Sequence, residues 1–225
     1  MPYSKNLKLA YVHVPKTGGT TVEKLIQTLD NGKPVAHPRS KCNWWFQHHY
    51  ASDIEVAVGA DEYPNYYKFA TVRDPFTLQL SLFRFYNAHP NFIKKYGNGC
   101  TKFADHFDFF TRDVNRPYIP NITNINSELI NRPLDRIYAF TEMDQLFEDL
   151  NKKCGKSVKL FEVNVTSPTS KDPRTHLAEV VTAYGDRLPR ALQVYRDEII
   201  WLKNNCPKAI ENVVQLYNIN KMPLN

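Results

Sequence analysis

Six consecutive positions, Lys16-Thr17-Gly18-Gly19-Thr20-Thr21, gather one fixed positive charge, three hydroxyls and two adjacent glycines. Only 8 of the 225 residues are glycine, so a pair side by side marks a backbone that something must approach closely. If a helix begins there, its unpaired N–H groups and positive dipole end favour an anion, and Lys16 adds a full charge. A phosphate suits all of these groups. A second set starts at Arg73, in Arg73-Asp74-Pro75, with Ser81 farther along. A guanidinium forks onto phosphate oxygens, and a hydroxyl two helical turns away can donate from the facing side. Between the two sets, Trp44-Trp45-Phe46-Gln47-His48-His49 offers a pair of imidazoles, the usual general base near neutral pH.

The elements that must position these groups follow from periodicity. Leu7 to Val14 is a short apolar run and reads as a buried strand. Val22, Leu25, Ile26 and Leu29 then share one face of a helix, closed by Asp30-Asn31-Gly32. Ile54 to Val58 alternates as a short strand would, and Tyr67 to Val72 is a further strand. Asp74 suits an N-cap and Pro75 the first turn of a helix over Phe76 to Tyr86. Arg136 to Phe140 predicts a third strand before a helix carrying Met143, Leu146, Phe147 and Leu150, and Val158 to Val165 a fourth. From Thr175 the pattern is mainly helical, with a last helix starting near Pro207 and carrying Ile210, Val213, Val214 and Tyr217. Strands alternating with helices predict an α/β fold: one domain over residues 1–225, with a mostly parallel central sheet of four or five strands flanked by helices.

Composition narrows the function classes. A net charge of +6 suits an anionic ligand, but no block of five or six like charges argues for nucleic acid. The N-terminal residues lack the apolar core of a signal peptide, and no run of 18 apolar residues occurs. The expectation is a soluble, cytoplasmic protein with no membrane partner. Cys42, Cys100, Cys154 and Cys206 are widely spaced, so reduced thiols are expected and no zinc motif is present. Asn121-Ile-Thr123 and Asn164-Val-Thr166 match the glycosylation pattern, read here as chance. No metal is expected: His48, His49 and Cys42 have no ligand spacing, and Lys16 precedes its glycines where a Walker A lysine follows them.

These motifs resemble a family. His13-Val-Pro-Lys-Thr-Gly-Gly-Thr-Thr21 is similar to the 5′-phosphosulfate loop of sulfotransferases that use 3′-phosphoadenosine 5′-phosphosulfate (PAPS), closest to the branch with the heparan 2-O- and other carbohydrate sulfotransferases. Val72-Arg-Asp-Pro through Tyr86 resembles that family's 3′-phosphate motif, with Arg73 and Ser81 at its phosphate positions. Many relatives carry arginine where Leu78 stands and tyrosine where Phe83 stands. Tyr138 to Leu150 and Leu160 to Thr166 resemble later family segments.

The resemblance implies a PAPS-dependent O-sulfotransferase of P-loop-like fold, releasing adenosine 3′,5′-bisphosphate (PAP). Lys16, Thr17, Gly18, Gly19, Thr20 and Thr21 would hold the 5′ end of the cofactor, and Arg73 and Ser81 its 3′-phosphate. Lys16 would also neutralise the leaving oxygen. A histidine of the interval would be the base, His49 ahead of His48. Glu142 reads as a contact near the acceptor, a partner of a histidine or a helix-start carboxylate, and Trp45 as core packing or a surface that stacks on the acceptor, which would be a carbohydrate or small-molecule hydroxyl. His13, inside the first strand, reads as structural. Two other classes compete: a nucleotide-dependent phosphotransferase, and a non-catalytic protein that binds polyanions.

Overall fold

A computed structural model describes residues 2–38, 48–89, 91, 99–112, 123–159 and 173–219. In chain order the strands are β1 (Tyr3–Ser4), β2 (Leu9–His13), β3 (Tyr67–Val72) and β4 (Arg136–Ala139). The helices are α1 (Gly19–Leu29), α2 (Ala51–Val58), α3 (Pro75–Ala88), α4 (Phe103–Thr111), α5 (Ile125–Leu129) and α6 (Met143–Cys154). They continue with α7 (Pro173–Tyr184), α8 (Leu188–Val194), α9 (Arg196–Asn205) and α10 (Val214–Ile219). The chain forms two compact units, Met1–Val72 with Asn126–Asn164, and Arg73–Ile125 with Val165–Asn225.

The first unit holds the sheet. Its order is β1-β2-β3-β4; β2, β3 and β4 run parallel, and β1 pairs antiparallel at the edge. This is the α/β class with a mostly parallel sheet that the sequence predicts. Register places Tyr11 beside Phe69 and Thr71 beside Tyr138, so these side chains share a face with Leu9. The apolar stripe of α1, Val22, Leu25, Ile26 and Leu29, packs on that face with Leu146, Phe147 and Leu150 of α6. Every residue of β2 is buried. Such burial on both faces is what parallel strands require, and it fixes the end of β2, where the turn to α1 begins. Because the parallel register runs from Leu9↔Tyr67 to His13↔Thr71, β2 and β3 end at the same edge of the sheet.

Two expectations change, and a third falls almost wholly outside the described residues. Ile54 to Val58 is the second half of α2, not a strand. Its alternating Ile-Glu-Val-Ala-Val is overridden by local capping, in which the backbone N–H of Tyr50 donates to Asp53 Oδ2 at 3.0 Å. The fourth strand of the sheet is the two-residue β1; apart from Val158 and Lys159, the segment to Val165 lies outside the described residues. The helix expected from Pro207 is broken into a 3₁₀ turn, Pro207–Ile210, and α10.

The second unit is helical, and aromatic rings build its core. The Phe76 ring centroid lies 5.5 Å from Tyr184 and 5.0 Å from Tyr195, and that of Phe103 lies 4.7 Å from Tyr184. Leu78 and Phe83, the two departures from the family pattern, serve this packing: Leu78 is fully buried, and Phe83 meets Phe103 and His106 edge-on. His106, also fully buried, shares a hydrogen bond of 3.1 Å with Gln79, and burial pushes its pKa down to about 3. The unfolded chain takes up this proton near pH 6.5, whereas the folded chain refuses it until about pH 3. The unfolded state therefore binds more protons across that window, and stability is lost as pH falls through it. The urea midpoint is expected to drop between pH 7 and pH 4, and less steeply in His106→Phe.

Candidate active site at the β2–α1 turn

The turn after β2 is shaped by backbone more than by side chains. Gly18 is the N-cap of α1 in the left-handed region at φ 79°, with no side-chain cap. Its carbonyl accepts from Thr21 N at 2.9 Å and Val22 N at 3.2 Å. The N–H groups of Gly18, Gly19 and Thr20 donate to no group among the described residues, and no acidic residue stands in the first turn. A cluster of aligned amides with an electropositive helix end fits an anionic oxygen. Lys16 is half-buried beside them and is itself left-handed at φ 62°, a conformation that costs an L-residue roughly 1–2 kcal/mol. Phe140 and Met143, which follow β4, lie against Gly18, where a Cβ would come within 3.3 Å of Phe140 Cε2.

Gly19 has a different reason to be glycine. A Cβ there would stand 1.9 Å from both Cδ2 and Nε2 of His13, so the imidazole occupies the space a side chain would need. His13 is 3% exposed, and its Nδ1 lies 2.7 Å from Glu23 Oε1 on α1. Burial pushes its pKa down to about 3, so the ring is neutral. Thr17 is used internally as well. Its buried hydroxyl donates to Val14 O at 2.8 Å and meets Thr71 Oγ1 at 2.8 Å, which in turn meets Tyr11 OH. Any contact of Thr17 with an anion therefore falls to its backbone. Thr20 is half-exposed at the helix start, whereas Thr21 is buried.

His48 joins this turn. Its Nδ1 donates to the backbone carbonyl of His13 at 2.7 Å, and the two rings meet edge to face with centroids 4.3 Å apart. Donation from Nδ1 puts the lone pair of the neutral ring on Nε2. Burial holds the His48 pKa well below the usual imidazole value, with the neighbouring His13 adding to the effect. His49 is more enclosed, at 4% exposed, and its Nδ1 stands 3.6 Å from Asp53 Oδ2, beyond hydrogen-bond length. Glu142 caps the 3₁₀ turn after β4, its Oε2 accepting from Ala139 N at 2.9 Å. Trp45, with Cys42, Trp44 and Phe46, lies outside the described residues.

Arg73 belongs to the second unit, directly after β3 in the chain. It is 8% exposed, and its Nε donates to Thr77 Oγ1 at 2.9 Å. Thr77 is tied to Asp74 twice, through its N–H at 2.9 Å and through its hydroxyl. The α3 cap thus fixes the plane of the guanidinium. Burial lowers the Arg73 pKa to about 10, leaving it cationic at neutral pH. Ser81 is half-buried on α3.

The sequence pattern of the sulfotransferase family matches residues 2–217. The chain belongs to the sulfotransferase family. No curated protein and no solved structure matches it. Sulfotransferases of this family move a sulfuryl group, generally from PAPS, and the amide cradle beside Lys16 is chemically matched to an anionic donor. Among the described residues no helix is long and apolar enough to cross a membrane. Sequence reasoning missed Glu23, Thr71 and Thr77, which support functional groups rather than form them. Only Thr77 carried a sequence signal, four positions after Arg73 and three after the N-cap Asp74.

Proposed function

We propose that the protein is a PAPS-dependent O-sulfotransferase acting on a carbohydrate or small-molecule hydroxyl, with the β2–α1 turn holding the 5′ end of the cofactor. The observation that carries this reading is the run of three amides at Gly18, Gly19 and Thr20, without an acceptor among the described residues, beside the half-buried Lys16. Arg73 and Ser81 take the 3′-phosphate, a role supported by the way Thr77 and Asp74 orient the guanidinium.

PAPS, when bound, supplies the sulfuryl group and a stable leaving group. The acceptor oxygen bonds to sulfur as the bond from sulfur to the 5′-phosphate oxygen breaks. Lys16 and the amides compensate the charge that grows on that oxygen. The acceptor's proton goes to a histidine. Sequence position favours His49; access and tautomer favour His48, whose half-exposed ring has its lone pair on Nε2. A depressed pKa keeps that ring unprotonated at neutral pH, though it also weakens the ring as a base. The remaining energy comes from positioning, as in phosphoryl transfer.

The test is transfer from PAPS to a desulfated heparan oligosaccharide, read by mass spectrometry as the gain of one sulfuryl group. His48→Ala is expected to lower the rate by roughly 10²-fold or more and to leave PAP affinity nearly intact. The same loss in His49→Ala with His48→Ala unchanged would move the base to the neighbouring ring.

A further inference from the structure

The residue beneath the turn does more than fill space. We infer that Glu23 and His13 form a positioning pair for sulfuryl transfer, in which the Glu23 carboxylate locks the His13 imidazole and the locked residue holds both Gly19 and His48 in place. The inference rests on the sulfotransferase reading above.

Three contacts converge on His13. From α1, Glu23 Oε1 lies 2.7 Å from its Nδ1. Its ring edge fills the volume over Gly19 at the first turn of the same helix. Its carbonyl accepts the Nδ1–H of His48 at 2.7 Å, and its ring braces the His48 ring at 4.3 Å. A neutral imidazole donates through only one nitrogen, so donation from Nδ1 to the carboxylate fixes both tautomer and ring orientation. The orientation matters because the opposite ring edge lies against the turn that presents the amide cradle. A rotated His13 ring would press on Gly19 and disturb its ring contact with His48.

Glu23 has no competing strong partner for this task. Its other oxygen, Oε2, is 3.9 Å from His37 Nε2, too long for a hydrogen bond, and its side chain is only 14% exposed. Partial burial raises the carboxyl pKa, while His37 opposes that rise. A carboxylate placed on a helix without a lysine or arginine partner among the described residues is a costly way to stabilise a fold. It is a common way to orient an imidazole.

The experiment compares wild type, Glu23→Ala and Glu23→Gln, with PAPS and the desulfated heparan oligosaccharide. Glu23→Ala is expected to lower kcat by about 10–100-fold while KM for PAPS changes by less than about threefold. Glu23→Gln keeps an oxygen acceptor for Nδ1–H and is expected to recover most of the rate. Long-range proton–nitrogen NMR gives a readout independent of turnover. Wild type is expected to show the Nδ1–H tautomer at both His13 and His48, with mixed tautomers at His13 and shifted His48 signals in Glu23→Ala. An unchanged kcat in Glu23→Ala, or His48 signals that do not move, would overturn the pair. If wild type transfers nothing, the functional reading fails and the NMR result alone decides whether the pair positions His48.

Discussion

Replacing Lys16 by alanine is expected to reduce sulfuryl transfer by roughly 10²–10³-fold, with PAP affinity falling far less. The asymmetry follows from where the charge is needed. In the ground state the cradle amides of Gly18, Gly19 and Thr20 can share the 5′-phosphate with Lys16. As the bond to sulfur breaks, extra charge collects on a single oxygen, and a full positive charge on a half-buried stem answers it best. An interaction made mainly in the transition state lowers kcat and kcat/KM together. Backbone strain must be separated from charge, because Lys16 sits at φ 62°. Glycine accepts that angle without penalty. Lys16→Gly should therefore melt higher than Lys16→Ala yet be equally inactive. Comparable turnover in Lys16→Ala and wild type would remove the lysine from the mechanism.

The second large effect is on stability. Gly19→Ala is expected to cost roughly 1–3 kcal/mol or more, because the new methyl would sit 1.9 Å from the His13 ring. That ring is not the loose end of a flexible chain. It is buried, bound to Glu23 and braced by His48. Either the first turn of α1 shifts, which spoils the amide cradle, or the ring swings out and abandons Glu23. Urea unfolding measures the loss. The double variant His13→Ala/Gly19→Ala should be less destabilised than the two single losses added together, since removing the ring removes the clash. Strict additivity would show that the approach of His13 is not what demands glycine.

Local signals were the most readable. The strand Tyr67 to Val72 matches residue for residue, and the helix after it begins at the Asp74 cap with Pro75 in its first position. The apolar stripe of α1 buries the four residues its spacing names. Ile54 to Val58 misled because a five-residue apolar alternation is too short to separate period 2 from period 3.6. β1 pairs through two residues only, too few for any pattern. The site divides in the same way. Lys16, the glycines and Arg73 announce themselves by type and spacing. Their supports join distant positions: Thr17 to Thr71, or His48 to the carbonyl of His13. Nothing in a linear pattern reports that the fold brings such residues side by side. Gly19 shows the limit most clearly, since a ring six residues earlier demands it, and the pair of glycines alone cannot reveal that.

The proposed function requires that Lys16 serve the 5′ end and Arg73 the 3′-phosphate of one PAP molecule. Calorimetric titration with PAP tests it most directly, using wild type, Lys16→Ala and Arg73→Ala, with adenosine 5′-phosphate as the ligand lacking the 3′ group. The account predicts one site per chain and a loss in Arg73→Ala of about 1.5–3 kcal/mol for a charge-assisted contact. It also predicts that this loss vanishes when the ligand has no 3′-phosphate. Equal binding of PAP by Arg73→Ala and wild type, or no binding at all, would contradict it.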